Sequence, residues 1–597
     1  MSGHLVFAIH VGHNASAALM RDGVVVSAAL EERFCRTKNV VGYPKHAIDY
    51  CLRKEGVTGA DLSRIATTTT DRAGLMIKAP TSTAFTLRDY HEYYGDRYFG
   101  RMMRGEDTFD YLEWLRDDPK FNTGEQHFDF SYLTDDVLRN PAQDIALFRK
   151  ETARRLAQHL GVLSDRVEFL DHHTCHAFYA YFGSPFRNDD CVAITLDSWG
   201  DGRNQTVWKF SGDQATLIAE STQNDLARIY KMATLILAMR PDEHEFKVMG
   251  LAPYAKPSHV ARARAAIEGL LQVDGMRIIH KHRPRDLYTF LRAAWTEHRF
   301  DNIAGAVQSY TEQMAAELVS NIVRETGIRR IVLSGGVAMN VKMNKVIAEL
   351  DLVDALYVCG SGGDESLSIG GCYLLNQDAG TNASLPHMYL GYDIADEMSQ
   401  FQPDTYTDRF DVRHTSDPAD VAALLVAGDI VAVARGRAEF GARALGNRSI
   451  LANPSRRESV QQINEAIKNR DFWMPFALSI LEERHMEFLV NPKGLASPVM
   501  SISLDARPER YREIEAGTHP YDRTVRPQFV SRTHAPAYHA LISAFAQRTG
   551  TPALLNTSFN LHGEPIVDTI ADSIRTFELS GLDHLWINDS VLLSKKR

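Results

Sequence analysis

The stretch DHHTCH, residues 171–176, puts three histidines and an aspartate within six positions. If it is helical, His172 and His176 stand at i and i+4 on one face, so their rings converge. Neutral imidazoles placed that way can bind a divalent transition metal when carboxylates complete the shell. Asp197 in TLDSWGDG and Asp364 in GSGGDES are the candidates, both expected at the ends of strands beside glycine-rich turns. Taken alone, an HxxxH pair is a weak signal, and a surface helix with two histidines is the commoner reading. Cys175 reads as a packed small residue, and His173 as structural. His13 could serve as a base, since its ordinary pKa lies near neutrality; a hydrogen-bonded turn histidine is the competing reading.

A second chemistry sits later in the chain. RGRAEFGARALGNRSILANPSRR, residues 435–457, gathers Arg435, Arg437, Arg443, Arg448, Arg456 and Arg457 around glycines. In a net-acidic protein that cluster suggests a pocket for a small anion, because guanidinium forks pair bidentately with phosphate or carboxylate oxygens. Lys468 and Arg526 add cations, while Asn556, Thr557 and Ser558 follow an apolar strand and offer neutral donors for an amide-like group. The alternative is a solvated basic face beside a turn. Gly335 and Gly336 in SGGVAMN could let the backbone approach a ribose or phosphate. Lys247 lies three residues before Gly250, and reads equally as a solvated lysine by a turn.

Positioning these groups requires alternating α/β elements. Strands are expected at 5–9, 167–170, 191–197, 331–336, 355–359 and 430–435, and helices at 142–160, 303–326 and 365–375. VVVSAAL after the RDG turn makes a hairpin with AALM. The polar run around 376–388 reads as a linker, and 75–145 as an insertion covering a site. At 597 residues the chain needs at least two domains.

Hydrophobic content of 44%, charged content of 24% and a net charge of −10 describe an ordinary soluble protein and argue against a broad nucleic-acid-tracking surface. Six scattered cysteines without a CxxC pair suit a reducing compartment. With no signal-like start and no long apolar run, a cytoplasmic protein that neither spans a membrane nor binds nucleic acid is expected. A homodimer is the default for its oligomeric state.

GHNASAAL, EERFCRTKN, DHHTCHA, LDSWGDG, KVMGLAPY, SGGVAMN, GDESLSIG, FGARALGNRSILANP, MPFALSI and LLNTSFNLHGEPIV, in that order, resemble the O-carbamoyltransferases of antibiotic and nodulation-factor biosynthesis almost end to end. The resemblance implies an actin/Hsp70-like lobe over 1–376 that binds nucleotide and metal, a linker at 377–387, and a YrdC-like lobe over 388–597. It implies that the second lobe forms carbamoyl-adenylate from carbamoyl phosphate and ATP. The first lobe would then pass the carbamoyl group to a hydroxyl of a small-molecule acceptor. His172, His176, Asp197 and Asp364 match the metal ligands, with iron the family's metal and Mg a further candidate. His13 matches the histidine beside the reacting carbonyl. Arg443, Lys468, Arg526, Asn556 and Ser558 match the carbamoyl-phosphate pocket, with Arg443 and Lys468 catalytic. Gly335, Gly336 and Asn340 fall where the nucleotide binds, with Lys247 a weaker match. One departure is visible: Met474 stands where some members carry an arginine, and Leu478 where they carry a proline. Losing such an arginine would remove a contact of about 1.5–3 kcal/mol unless another cation, such as Arg470, replaces it.

Three rival readings use the same residues. A tRNA threonylcarbamoyladenosine-type enzyme shares both folds but lacks a basic stripe. A non-catalytic Hsp70-like nucleotide-binding regulator leaves the arginine-rich second lobe unexplained. A metallopeptidase would need an HExxH glutamate that is absent.

Overall fold

A computed structural model describes residues 3–71, 86–92, 106, 134, 136, 141–468 and 470–596. Most of the expected insertion at 75–145 lies outside the described residues. The chain divides into two compact units, Met1–Leu385 and Pro386–Arg597.

Unit one is built on two five-stranded sheets. The first comprises β1 (Leu5–His10), β2 (Ser16–Arg21), β3 (Val24–Leu30), β4 (Arg64–Thr67) and β5 (Val167–Phe169), in the order β3-β2-β1-β4-β5. Strands β1, β2 and β3 form an antiparallel meander, and β4 and β5 run parallel to β1. The second comprises β6 (Cys191–Gly200), β7 (Arg203–Ser211), β8 (Gln214–Ser221), β9 (Arg330–Ser334) and β10 (Ala355–Val358), in the order β8-β7-β6-β9-β10. Its directions repeat those of the first: β6, β7 and β8 are antiparallel neighbours, while β9 and β10 run parallel to β6. This strand order, present twice, is a mixed α/β architecture of the kind expected for an actin/Hsp70-like lobe.

Both central strands are buried on both faces: every residue of β1 is buried, as are Cys191 to Asp197 of β6. Alternation is lost because helices cover both faces of each sheet. Between the sheets the helices His172–Phe182 and Leu367–Leu375 lie in close contact. Gly370 is what allows it, since a Cβ there would stand 2.0 Å from the Cys175 carbonyl oxygen. Cys175 is fully buried in this contact.

The strand carrying Asp197 runs on to Gly200, and its register with β7 breaks between Leu196 and Gly200. Asp197 therefore sits at an irregularity inside a strand, not at its end. Asp364 also differs from expectation: β10 ends at Val358, and Asp364 opens the single 3-10 turn that leads into Leu367–Leu375. Residues 377–385 group with unit one, where buried Asn382 donates to the Tyr373 carbonyl 2.9 Å away.

Unit two is an α/β body on one mixed sheet, the class expected for a YrdC-like lobe. Its strands are β11 (Phe410–His414), β12 (Val431–Ala434), β13 (Arg448–Ala452), β14 (Ala477–Leu481), β15 (Pro527–Val530), β16 (Ala553–Ser558), β17 (His584–Ile587) and β18 (Val591–Lys595). They lie in the order β11-β18-β17-β12-β13-β16-β14-β15. One face packs on Ile450, Leu555, Leu585 and Phe577, the other on Val433, Leu451, Leu554 and Phe545.

Candidate functional site

Four side chains converge in unit one. The His172–Phe182 helix is capped by Asp171, whose carboxylate accepts from the Thr174 amide. Its i, i+4 pair faces Asp197 from β6 and Asp364 from the turn before Leu367–Leu375. One ligand atom from each of His172, His176, Asp197 and Asp364 can be chosen so that all lie within 4.8 Å of one another, and all four residues are buried. His172 Nε2 lies 3.1 Å from Asp197 Oδ2 and 3.8 Å from Asp364 Oδ1; His176 Nε2 lies 3.6 and 3.8 Å from the same two atoms.

The donor chemistry suits a divalent cation. His176 Nδ1 is engaged with Ser334 Oγ at 3.0 Å, which turns Nε2 inward, and that buried Nε2 has no hydrogen-bond partner. A second-sphere contact of this kind is what fixes the ring of a metal-bound histidine. Burial acts against charge on His172, but the Asp197 hydrogen bond and the charges of Asp364, Asp197 and Asp201 lift it to about 9. The site attracts positive charge.

His173 points elsewhere: its ring nitrogens meet Thr195 Oγ1 at 2.7 Å and the Arg203 carbonyl at 3.1 Å. Burial first, then the neighbouring histidines, push it down to about 3. It is a neutral bridge between helix and sheet.

His13 lies in the short strand Gly12–His13, paired with Val41–Gly42 and packed on the Asp364 turn. The adjacent Asn14 side chain donates through Nδ2 to Glu365 Oε2 at 3.3 Å. Gly335, at φ +96°, approaches the Leu196 backbone so closely that a Cβ would stand 2.3 Å from its carbonyl oxygen; a Cβ on Gly336 would be 3.2 Å from Asp197 Oδ1. The glycine turn therefore borders the histidine–aspartate cluster. Asn340 is committed locally: its side chain caps the next helix through the Met343 amide and exchanges two hydrogen bonds with Gln308. Lys247 lies on the Glu245–Leu251 helix, where its charge helps depress His244.

In unit two the arginine-rich stretch separates by role. Arg448 is wholly buried and donates to the carbonyls of Asp568, Arg435, Asn447, Tyr392 and Gly436. Arg437 donates to the Leu390 and Gly391 carbonyls and Arg456 to that of Ala427. Arg435 lies over Trp586 and pairs with Asp589. Arg437, Arg448 and Arg456 are thus taken up by backbone carbonyls, the buried Arg435 nitrogens make no hydrogen bond, and Arg457 is exposed, so the expected six-arginine pocket is narrowed. Only Arg443 joins a cationic group, with Arg470 and Arg526.

Burial and then the Arg443 charge push Arg470 down to about 10. Burial, Arg443 and Arg470 push Arg526 well below the usual guanidinium range. Among the described residues no carboxylate pairs with Arg470 or Arg526, and the buried Arg526 Nε has no hydrogen-bond partner. Three crowded guanidiniums without compensating carboxylates on two of them form a site that an anion would relieve.

The end of β16 anchors this group. Asn556 donates to the Ala444 carbonyl, beside Arg443, and to Ser479 Oγ, both at 3.0 Å; its buried Oδ1 has no partner. Thr557 Oγ1 accepts from Arg470 at 3.2 Å. Ser558 Oγ and Asn560 Oδ1 accept from Lys468 at 3.1 and 2.6 Å. Glu439 orders the loop after Arg443 by accepting from three amides, those of Leu445, Asn447 and Arg448. Arg470, the cation expected as a substitute beside Met474, lies near Arg443 and Arg526, while Asn560 carried no sequence signal beyond its place after Ser558.

Family models described as Carbamoyltransferase N-terminus and Carbamoyltransferase C-terminus match residues 143–373 and 422–595. The nodulation protein NolNO of Sinorhizobium fredii is 30% identical over 98% of this chain and 79% of its own. The 3'-hydroxymethylcephem-O-carbamoyltransferase of Streptomyces clavuligerus is 30% identical over 58% of this chain and 64% of its own. Among solved structures, HypF of T. kodakarensis aligns with a TM-score of 0.32 at 13% identity, covering 63% of this chain and 48% of that one.

Proposed function

The chain belongs to the carbamoyltransferase family, and from that premise we propose that it is an ATP-dependent O-carbamoyltransferase acting on a hydroxyl of a small-molecule natural product. In this reading unit two takes carbamoyl phosphate and ATP to carbamoyl-adenylate, and unit one transfers the carbamoyl group to the acceptor. The observation that carries it is the Arg443, Arg470 and Arg526 group beside Asn556.

The guanidiniums hold phosphate oxygens and neutralise charge as the phosphate departs. Lys468, held on Ser558 and Asn560, adds a point charge at the end of the same strand. The unpartnered Asn556 Oδ1 is placed to accept from the carbamoyl NH2, a neutral contact that selects an amide over a second anion. In unit one, His13 takes the proton of the acceptor hydroxyl, and the Gly335–Gly336 turn lets nucleotide phosphate approach the backbone. His172, His176, Asp197 and Asp364 would hold a divalent ion, iron in our reading, which supplies Lewis-acid anchoring of phosphate.

The test is incubation with ATP and labelled carbamoyl phosphate against a panel of hydroxylated metabolites. Carbamoyl-phosphate-dependent pyrophosphate release and label on one acceptor are expected. No such pyrophosphate release would sink the proposal.

A further inference from the structure

Asp201 closes the β6–β7 hairpin with φ +44°, four residues beyond Asp197. Its Oδ2 accepts from the His172 amide at 2.9 Å, and the same carboxylate accepts from Thr69 Oγ1 at 3.1 Å, the Thr70 amide at 2.9 Å and the Asp71 amide at 3.2 Å. One side chain thus joins the hairpin continuing from Asp197, the first residue of the histidine helix, and the chain just beyond β4. Helix-first amides have no partner within the helix. Asp171 answers the Thr174 amide of this helix, and Asp201 answers that of His172 itself.

The preceding residue constrains the ring. A Cβ on Gly200 would lie 2.3 Å from Cδ2, 2.4 Å from Cγ and 2.6 Å from Nε2 of His172. The imidazole therefore lies directly on the Gly200 backbone. Held at its amide by Asp201 and seated by its ring on Gly200, His172 has little freedom in either position or rotation.

We propose that the Gly200–Asp201 turn is a positioning clamp that sets His172 Nε2 against Asp197 and Asp364 for cation binding. The clamp rests on the metal reading above, and acts through His172, since neither residue belongs to the ligand quartet. Asp201→Asn keeps the shape but turns an amide NH2 toward backbone donors. Gly200→Ala adds one methyl group where the ring lies, at a position whose φ is not in the left-handed region.

The experiment is titration of the metal-stripped full chain with Co(II), read by its visible absorption, alongside the thermal midpoint of each metal-free protein. Both variants should bind Co(II) about 10–100-fold more weakly than wild type, the size seen when outer contacts of metal ligands are lost. Asp286→Asn, which removes a helix cap at Leu287–Trp295, should lower the thermal midpoint and leave Co(II) affinity unchanged. Wild-type Co(II) affinity in both clamp variants would overturn the clamp. If Asp201→Asn does not fold, Gly200→Ala decides alone. Wild-type protein that binds no Co(II) would overturn the metal reading, and the clamp with it.

Discussion

In the proposed pocket, crowded guanidiniums, two of them without a carboxylate among the described residues, raise the energy of the empty site and lower that of the filled one, so their contribution is felt when an anion arrives. Arg526→Ala should raise KM for carbamoyl phosphate about 10–150-fold, the equivalent of about 1.5–3 kcal/mol in lost charge-assisted hydrogen bonds. Initial rates of pyrophosphate release against carbamoyl phosphate concentration check it; an unchanged KM would remove Arg526 from the pocket. Asp364→Asn should abolish tight Co(II) binding with a thermal midpoint near that of the metal-free wild type, as calorimetric titration would show. At this scale the sequence told residue type but not direction. Arg437, Arg443 and Arg448 lie within eleven positions of one another, yet two face carbonyls and one faces other guanidiniums. No spacing rule separates those fates, because each depends on which distant strand lies opposite. His172 and His176 were legible because helical periodicity alone puts them on one face. Asp201 was passed over because a glycine-flanked aspartate looks like any turn residue.

The helix pair His172–Phe182 and Leu367–Leu375 is the element that assembles the cluster, since one helix carries both histidines and the turn before the other carries Asp364. Gly370→Ala should push the two apart at Cys175, with an overpacking cost of about 1–3 kcal/mol and weaker Co(II) binding. Thermal unfolding and the same titration measure both. The strands and long helices could be read from apolar runs and their periods. Asp364 could not be located that way, because a 3-10 turn separates it from the strand before it. A second element is open to pH. His244, at the start of Glu245–Leu251, accepts from the Arg240 amide through Nδ1 at 3.1 Å. Burial and then the Lys247 charge push it from 6.5 down to about 4. Its contribution to stability is therefore present above pH 6.5 and is lost as pH falls toward about 4, where the unfolded chain binds the proton first. His244→Gln should flatten the fall in thermal midpoint between pH 7 and pH 4.5; an identical profile would show that other groups govern it.

Over the whole molecule, the division at Leu385 and Pro386 leaves the arginine group, Lys468 and Asn556 within one compact unit. Residues 386–597 expressed alone should then release pyrophosphate from ATP in the presence of carbamoyl phosphate, while carbamoylating no acceptor. A folded fragment, judged by a cooperative thermal transition, that releases none would show that the first half-reaction needs more of the chain. Unit one holds a different lesson. Its two sheets share one strand order, although the sequence betrays no repeat. In each sheet the chain leaves the first strand through a short connection to the second, and those two connections are topological counterparts. One carries His13 and the other carries Asp201, directly after the strand end that holds Asp197 and Gly200. In the proposed mechanism, counterpart turns have diverged into a proton acceptor and a carboxylate scaffold. Such a division of labour explains why neither half of unit one contains a complete site, and it makes the hairpins natural places to exchange when a relative of altered acceptor preference is sought.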